Sequence, residues 1–224
     1  MNQGQIFSSS EGDAWFKRNL PHKSNSQLLS QFEDVRFICQ AMLPFKDDIQ
    51  KVLEIGCSNG IKLETICHHL GATGDGVDPS PLAIEVGTSR IKEVDIKLKV
   101  GNGDALPYAQ ASFDLVYFGF CLYLFDREKL IQSFAEADRV LKQGGFMVIT
   151  DFDPGIRYKR PYSHVEGVYA YKQDYSAFFT QSGLYYLAEK HSFSHHQLHF
   201  DIASDERVTT AILYKEHNPY PAPV

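Results

Sequence analysis

Carboxylates and glycines recur together at three points of the chain where a short apolar stretch ends. Glu54 precedes a glycine turn that begins at Gly56, and Asp78 and Asp104 each follow a further stretch that contains glycine. Glycine lets a backbone turn sharply and approach a ligand closely. A carboxylate offers two acceptor oxygens, which suits the two hydroxyls of a ribose. The spacing of Gly56 and Asp78 therefore predicts a nucleotide-type site.

These residues need a sheet edge to bring them together. Residues 51–151 alternate short apolar runs with helical patterns, which predicts right-handed crossovers and a doubly wound parallel sheet. In such a sheet, ligands bind at the carboxyl ends of the strands. We therefore expect Glu54, Asp78 and Asp104 at one edge of the sheet.

The segments outside this core read differently. Residues 26–43 predict an amphipathic helix that Ser26 can cap, and residues 171–182 also predict a helix. Residues 152–170 predict an irregular loop. Two runs, 185–196 and 207–215, are separated by a loop alone, which predicts an antiparallel hairpin at the end of the sheet. The domains predicted are an N-terminal cap or lid segment with a helix, residues 1–45, and one catalytic-type domain, residues 46–224.

Composition limits the function classes. The 224 residues carry a formal charge of −6, which argues against a general nucleic-acid surface or an acidic-membrane surface. No apolar run reaches the length of a membrane span, and the first residues lack the pattern of a signal peptide. We therefore expect a cytoplasmic protein that acts as a monomer or homodimer, with no nucleic-acid or membrane partner.

The first nucleotide to consider is a dinucleotide. A dehydrogenase turn needs glycine at its first, third and sixth positions to fit a diphosphate. Here these positions hold Gly56, Ser58 and Ile61, and Glu54 adds a negative charge nearby. A cationic ligand tolerates Glu54 better than a diphosphate does. S-adenosylmethionine, which carries a sulfonium and an ammonium, is such a ligand.

At this point the chain resembles the class I S-adenosylmethionine-dependent methyltransferases, in the small-molecule branch with the ubiquinone/menaquinone-type core. The matching stretches are 52–60, 76–80, 103–107, 112–117 and 139–145. The resemblance implies a Rossmann-like, doubly wound, seven-stranded α/β sheet that is mostly parallel, with a C-terminal antiparallel hairpin and an N-terminal helical cap. The family has a further glycine where this chain has Ser58.

The resemblance implies a role for each residue of the first two motifs. Glu54 and the turn residues Gly56, Cys57 and Ser58 would face the amino-acid end of the cofactor. Asp78 would hold the ribose hydroxyls.

The later motifs supply the rest of the implied cofactor site. Pro79 would pack on the adenine, and Asp104 would accept from its exocyclic amine, with the Ala105 amide nearby. Tyr117 and Phe118 would lie under the methionine portion.

Three further residues complete the expected cofactor site. Tyr123 occupies a position that often carries histidine in the family. The sole tryptophan, Trp15, either anchors the N-terminal segment on the domain or lines the site as part of a lid. Arg18 either binds the cofactor carboxylate or only anchors that segment.

The acceptor side is expected in the loop after the fifth strand. His164 and Asp153 are the candidate catalytic bases, because a hydroxyl acceptor must lose a proton. The pairs His68–His69 and His195–His196 have no carboxylate or cysteine at ligand spacing, so the sequence predicts no metal site.

The function expected is methyl transfer from S-adenosylmethionine to an oxygen, or a nitrogen, of a small-molecule acceptor. Residues 11–19 resemble a segment of bacterial methyltransferases associated with surface-glycan or metabolite genes, which makes a sugar or surface-glycan precursor one candidate acceptor. The alternatives are a non-catalytic S-adenosylmethionine-binding or partner module and an NAD-dependent oxidoreductase.

Overall fold

The computed structural model describes residues 2–19 and 32–222. Its central feature is a seven-stranded sheet in the order β3-β2-β1-β4-β5-β9-β8, with a separate two-stranded ribbon made of β6 and β7. The strands are β1 Lys51–Ile55, β2 Thr73–Asp78, β3 Ile96–Val100, β4 Phe113–Gly119, β5 Leu141–Phe152, β6 Tyr158–Pro161, β7 Tyr169–Lys172, β8 Tyr185–Ser194 and β9 Arg207–Lys215.

Helices cover both faces of this sheet. The α-helices are α1 Gln3–Ile6, α2 Gly12–Asn19, α3 Glu33–Met42, α4 Ile61–Leu70, α5 Pro81–Arg90, α6 Leu130–Val140 and α7 Ser176–Thr180. A π-helical turn, Phe7–Glu11, joins α1 to α2. No helix in the described ranges has the length and apolar character that crossing a membrane requires.

The alternation of strands and helices predicts the topology correctly. Strands β1 to β5 pair in parallel, and the order reverses at β1, which is flanked by β2 and β4. This reversal opens a crevice at the carboxyl ends of β1 and β4. The C-terminal hairpin is confirmed, with β9 inserted antiparallel between β5 and β8.

Two expectations for local structure are wrong. Residues 152–170, expected to be irregular, contain β6, and residues 171–182, expected to be helical, begin in β7 and only later enter α7. Each ribbon strand has four residues and pairs only with the other, from Tyr158 with Lys172 to Pro161 with Tyr169. Strands this short carry too few residues to show a two-residue alternation. The predicted cap of α3, Ser26, lies outside the described residues.

The core lies on the two sides of the sheet. Leu53, Val116 and Phe118 pack against the α6 side, while Val52, Leu115 and Tyr117 pack against α3 and α4. Because successive residues of a strand face opposite sides, both layers are apolar, as expected for a parallel sheet covered on two faces.

Candidate functional site

A cavity of about 500 Å³ lies at the crevice between the carboxyl ends of the central strands. Gly56, Asp78 and Gly119 form part of its wall on the sheet side, and Phe7 and Trp15 cover it from the N-terminal helices. This volume lies in the ordinary range for small-molecule sites. The site is thus closed by two parts of the chain that are remote in sequence.

The turn after β1 requires glycine at its first position. Gly56 has φ +77°, in the left-handed region, and a Cβ there would lie 2.5 Å from the Cβ of Cys121. Its N–H donates to the Val77 carbonyl at 2.8 Å, which holds the turn against β2. The backbone therefore forms the wall of the cavity at this point with no side chain in the way.

Ser58 occupies the position where the family has glycine. Its φ is +49°, so a non-glycine residue holds the left-handed conformation that the family pattern reserves for glycine. The Ser58 N–H donates to Oδ2 of Asp78 at 2.8 Å. This bond ties the β1 turn to the end of β2, so the turn survives the substitution.

Asp78 lies at the carboxyl end of β2 with both oxygens held by backbone. Oδ2 accepts from Ser58, and Oδ1 accepts from the Ser80 N–H at 2.9 Å. Burial raises the pKa of the Asp78 carboxyl to about 6, and the two backbone N–H bonds oppose this rise. Each carboxylate oxygen keeps a further lone pair, so the fixed carboxylate can accept two more hydrogen bonds from a ligand.

A second acidic wall lies across the cavity from the β1 turn. Asp104 lines the cavity and is 3.7 Å from the ammonium of Lys129, which also lines it. Asp126, three residues before Lys129, also lines the cavity; one of its oxygens accepts from the Glu128 N–H, while its Oδ2 is buried without a partner among the described residues. The sequence analysis did not single out Asp126 as a site residue. An orphaned buried carboxylate oxygen at a cavity wall indicates a missing ligand donor.

Glu54 lies behind the cavity wall rather than on it. It is 1% exposed, and its Oε1 would be 2.2 Å from a Cβ on Gly119, which does line the cavity. Its Oε2 has no hydrogen-bond partner in the described chain. Burial raises the pKa of Glu54 well above its usual value, and the charge of Lys62 opposes the rise.

Three residues predicted to contact the cofactor point into the core. The Cys57 side chain packs toward Gly76, where a Cβ would meet its sulfur at 2.7 Å. The Tyr117 hydroxyl donates to Asp34 at 2.6 Å on the α3 side of the sheet, and Phe118 packs edge-on against Phe134. None of the three is among the residues that line the cavity.

Near β4, the cavity wall is formed by residues that come directly after the predicted pair Tyr117 and Phe118. Gly119, Phe120 and Cys121 line it, and Phe120 has φ +62°. This left-handed residue redirects the chain after β4 and places the Phe120 ring in the cavity wall. Phe120 thus lines the cavity near the end of β4, whereas Tyr117 and Phe118 do not, and the predicted contacts of these two residues with the cofactor stay predictions.

The structure places Trp15 and Arg18 in different surroundings, and each fits one of the two alternatives that the sequence left open. Trp15 lines the cavity, as the lid alternative predicts. The Arg18 guanidinium is ion-paired with Glu11 and donates to the Tyr162 hydroxyl at 3.0 Å, which is the anchoring alternative. Arg18 does not line the cavity.

The remaining predicted cofactor contacts fall on both sides of the cavity boundary. Pro79 lines it, next to Asp78. Ala105 does not, and its N–H donates to the Asn102 carbonyl at 3.4 Å. Tyr123 is buried outside the lining, with its ring 5.2 Å from that of Phe120 and 5.3 Å from that of Phe152.

Both candidate bases lie outside the cavity. His164 is exposed, and its ring meets only that of Tyr162 among the described aromatic pairs, at 5.1 Å. Asp153 forms an ion pair with Lys190 at 2.8 Å and accepts from Thr209 at 3.4 Å. Their catalytic roles stay predictions, and the structure brings neither residue to the cavity.

A family model matches the parallel part of the sheet. Residues 52–145 match a family model described as a methyltransferase domain. This segment runs from β1 to the start of β5, so it contains the β1 turn, Asp78 and Asp104.

Curated relatives match over the same region. The chain is 34% identical over 115 residues to a demethylmenaquinone methyltransferase of Tropheryma whipplei. The aligned region covers 50% of this chain and 46% of that protein. It is 33% identical over 101 residues to the demethylmenaquinone methyltransferase of Staphylococcus aureus, covering 44% and 41%. The chain spans about half the length of the curated relatives that it matches.

Solved structures share the fold over most of the chain. A protein of Pyrococcus horikoshii superposes with a TM-score of 0.66 at 17% identity, over 91% of this chain and 98% of that one. The 1,6-didemethyltoxoflavin-N1-methyltransferase of Burkholderia thailandensis, solved with S-adenosylhomocysteine, gives 0.68 at 12% identity, over 95% and 88%. Residues 52–145 therefore match a methyltransferase domain, and the motif order and sheet order are similar to those of the class I S-adenosylmethionine-dependent methyltransferases, among whose members the matched demethylmenaquinone methyltransferases are found.

Proposed function

We propose that the protein transfers the methyl group of S-adenosylmethionine to an oxygen or a nitrogen of a small planar acceptor. The observation that carries the proposal is Asp78, a carboxylate fixed by two backbone amides at the wall of a covered cavity. The relatives' names and the neighbour solved with S-adenosylhomocysteine, the demethylated product of the cofactor, support the class of reaction.

The cavity fits S-adenosylmethionine at several independent points. Asp78 would accept both ribose hydroxyls, Pro79 would pack on the adenine, and Asp104 would accept from the adenine amine. Lys129 is ion-paired with Asp104 and lies three residues after Asp126, so we place both carboxylates at the adenine end of the ligand. The Oδ2 atom of Asp126, which has no partner among the described residues, would offer a further hydrogen-bond acceptor there. Gly56 leaves the backbone open to the methionine portion.

Glu54 would act on the cationic end of the cofactor through the electric field rather than by direct contact. Its carboxyl group lies directly behind Gly119, and the absence of a side chain on Gly119 lets the two approach. An ammonium or sulfonium on the cavity side of Gly119 would stabilise the ionised form of Glu54. Binding would thereby lower a pKa that burial has raised.

Bound S-adenosylmethionine supplies an electrophilic methyl group, so the chain's own task is to position an acceptor and to exclude water. The rings of Phe7, Trp15 and Phe120 line the cavity and provide apolar faces for this purpose. Alignment of two reactants in a closed site can supply much of a rate enhancement. No side chain needs to form a covalent bond.

The aromatic walls bear on the acceptor. Planar rings stack well against aromatic side chains, whereas a sugar needs many polar partners around its hydroxyls. The named substrates of the matched proteins, demethylmenaquinone and didemethyltoxoflavin, are ring compounds. A hydroxylated or amino-substituted ring is therefore our first candidate, and a sugar or surface-glycan precursor is the second.

The positions of the two candidate bases bear on which acceptor groups suit the site. His164 and Asp153 lie outside the cavity, so an acceptor that loses its proton readily, such as an acidic ring hydroxyl, or a neutral amine suits this site best. Oxygen and nitrogen acceptors both meet this condition.

The test separates the candidate functions by ligand. We expect S-adenosylhomocysteine to bind the full chain in calorimetry and NAD not to bind, because Ser58 and Ile61 stand where a diphosphate needs glycine. Asp78→Ala should weaken S-adenosylhomocysteine binding about 100-fold, since two hydrogen bonds to a charged group are lost.

Methyl transfer is then assayed by mass spectrometry with hydroxylated rings, aromatic amines and sugar nucleotides. A mass gain on the ring compounds supports the proposal, and a gain confined to sugars favours the second candidate. Cofactor binding with no methylated product from any of them would instead favour the non-catalytic module. NAD binding in place of S-adenosylhomocysteine would overturn the proposal.

A further inference from the structure

Two histidines and a glutamate lie close together at the loop end of the C-terminal hairpin. β8 ends at Ser194, opposite Arg207 at the start of β9, and the His195 N–H donates to the Glu206 carbonyl at 2.8 Å. The hairpin ladder thus continues by one pair beyond the strands. Residues directly opposite each other in an antiparallel pair project to the same face, which brings the His195 and Glu206 side chains together.

The potential ligand atoms are closely grouped. His195 Nδ1 is 3.7 Å and His196 Nε2 is 3.3 Å from Glu206 Oε2, and all three atoms lie within 4.8 Å of one another. Around a tetrahedral zinc ion, ligand atoms are separated by about 3.3 Å, given metal–ligand distances of about 2.0–2.1 Å. Two of the three separations already fit, and a rotation of an exposed imidazole closes the third.

We propose that His195, His196 and Glu206 bind a divalent transition-metal ion of the zinc type, with three protein ligands and an open fourth position. The side chains of His195 and His196 are 41% and 67% exposed, so an ion can reach them and the rings can adjust. The site is distinct from the cofactor cavity, because none of these residues lines that cavity.

The surroundings favour a transition metal over calcium or magnesium. Calcium and magnesium need several oxygen ligands, and this cluster offers one carboxylate beside two imidazoles. The charges of Lys172 and Arg160 also act on His195, and the charge of Glu206 opposes them, so the cluster has a single carboxylate to balance these cations. Imidazole nitrogen binds zinc, nickel and copper by coordination, which this environment still allows.

The proposed ion would lie next to the part of the cavity wall that Phe120 forms. The His195 ring stacks on the Phe120 ring, with centroids 5.5 Å apart and planes 17° from parallel, and Phe120 is part of the cavity wall. An ion bound to His195 would therefore hold the His195 ring against the Phe120 ring. It would also link the two ends of the loop that joins β8 to β9.

The experiment titrates Zn²⁺ into the metal-free full chain against a chromophoric chelator, and Co²⁺ gives an absorption spectrum that reports the coordination geometry. We expect one equivalent of high-affinity metal and a tetrahedral Co²⁺ spectrum. His196→Ala and Glu206→Gln should each weaken binding at least about tenfold, as expected when one of three ligands is lost. The His196 side chain is exposed and that of Glu206 is half-buried, and circular dichroism checks that both variants fold.

The chain contains a matched control in His68 and His69, an adjacent and exposed pair on α4 with no carboxylate paired to it in the described structure. His68→Ala/His69→Ala should leave Zn²⁺ binding unchanged. Absence of stoichiometric binding, equal binding by His196→Ala and the parent, or loss of binding only in the α4 variant would overturn the proposal. S-adenosylmethionine is absent from this assay, so its outcome is independent of methyl transfer.

Discussion

The absence of a side chain at one glycine, Gly56, shapes the cavity wall. Gly56 and Gly71 both hold left-handed backbone, with φ +77° and +71°, but only Gly56 faces close neighbours. A Cβ on Gly56 would meet the Cβ and Sγ of Cys121 at 2.5 and 2.7 Å, whereas nothing lies within 4 Å of a Cβ on Gly71. The two positions thus separate the cost of backbone conformation from the cost of a clash in the wall.

We expect Gly71→Ala to lower the free energy of unfolding by about 1–2 kcal/mol, the cost of left-handed backbone for a residue with a Cβ. Gly56→Ala should lose about 1–3 kcal/mol more, because the extra methyl overpacks the wall. It should also weaken S-adenosylhomocysteine binding more than tenfold, while Gly71→Ala binds like the parent. Urea unfolding and calorimetry measure both effects. Equal stability losses with binding retained in both variants would contradict this account.

The sequence motifs locate the cavity well at strand ends and turns, while the ligand contacts of these residues stay predictions. Gly56, Ser58, Asp78, Pro79 and Asp104 were all named from motifs, and all five line the cavity. These positions depend on strand ends and turns, which the glycine and carboxylate spacing marks directly.

Side-chain direction is what the sequence did not reveal. Tyr117 and Phe118 looked suitable because they are aromatic and near the end of β4, but both are 0% exposed. The wall is instead made after the strand, where Phe120 turns into left-handed backbone. A phenylalanine in that conformation carries no sequence signal, since the conformation is rare for bulky residues.

At the scale of elements, the N-terminal helices are connected to both sides of the cavity. Asp13 on α2 accepts from the Ser80 hydroxyl at 2.5 Å and from the Leu82 N–H at 3.1 Å, at the start of α5. A negative charge at a helix N-terminus is stabilising. On the other side, Gln3 donates to the Leu124 and Tyr169 carbonyls at 2.7 and 2.9 Å. The cover is thus held on both walls by polar contacts rather than by one hinge.

We expect Asp13→Ala to release the α5 side of this cover. S-adenosylhomocysteine should then dissociate faster and bind several-fold more weakly, and amide hydrogen exchange in residues 3–19 should increase. Stability should fall by about 0.5–2 kcal/mol, the usual cost of a lost helix cap. Stopped-flow dissociation, calorimetry and exchange mass spectrometry give these quantities.

Asp174 provides the control, because its Oδ1 accepts from the Ser176 N–H and hydroxyl at 2.9 and 2.5 Å at the start of α7, outside the cavity lining. Asp174→Ala should lose comparable stability and leave ligand dissociation unchanged. If both variants affect dissociation equally, the cover has no specific role in retaining the ligand.

At the scale of the whole molecule, tertiary structure joins residues that spacing keeps apart. His195 and His196 have no carboxylate at ligand spacing in the sequence, yet the hairpin register places Glu206, the residue just before β9, beside them. Likewise, the ribbon of β6 and β7 forms only through mutual pairing. Sequence motifs identify the donor site and the sheet, whereas contacts between distant segments must be read from the fold.

The whole molecule also carries an unusual dependence of stability on pH, which arises from buried carboxyl groups at the strand ends. Asp151, at the end of β5, is 2% exposed and accepts from the Tyr123 and Phe152 N–H groups at 3.1 and 2.8 Å. Burial raises the pKa of Asp151 from 3.8 to about 7, although these bonds oppose the rise. Asp78, with a pKa of about 6, shifts in the same direction.

The sign follows from proton binding. Between pH 3.8 and about 7 Asp151 holds more protons in the folded protein than in the unfolded chain, so its contribution makes the free energy of unfolding fall as pH rises through this window. The carboxyl groups with lowered pKa values, such as Glu33 and Glu136, act in the opposite direction at the acidic end of the window. The pKa of His195, lowered by burial, acts in the opposite direction below 6.5. The pKa of Lys172, lowered by burial to about 8, affects stability only above that pH.

We therefore expect the ligand-free protein to be less stable at pH 7.5 than at pH 5, with Asp151 contributing about 2–3 kcal/mol of the loss. Asp151→Asn, which cannot ionise, should remove that part of the slope. Urea unfolding at half-unit pH steps measures both proteins in parallel. A parent protein that gains stability between pH 5 and 7.5, or a variant that keeps the full slope, would show that Asp151 is ionised in the fold at little cost. Saturating S-adenosylhomocysteine should reduce the slope further, because the ribose hydroxyls favour the ionised form of Asp78.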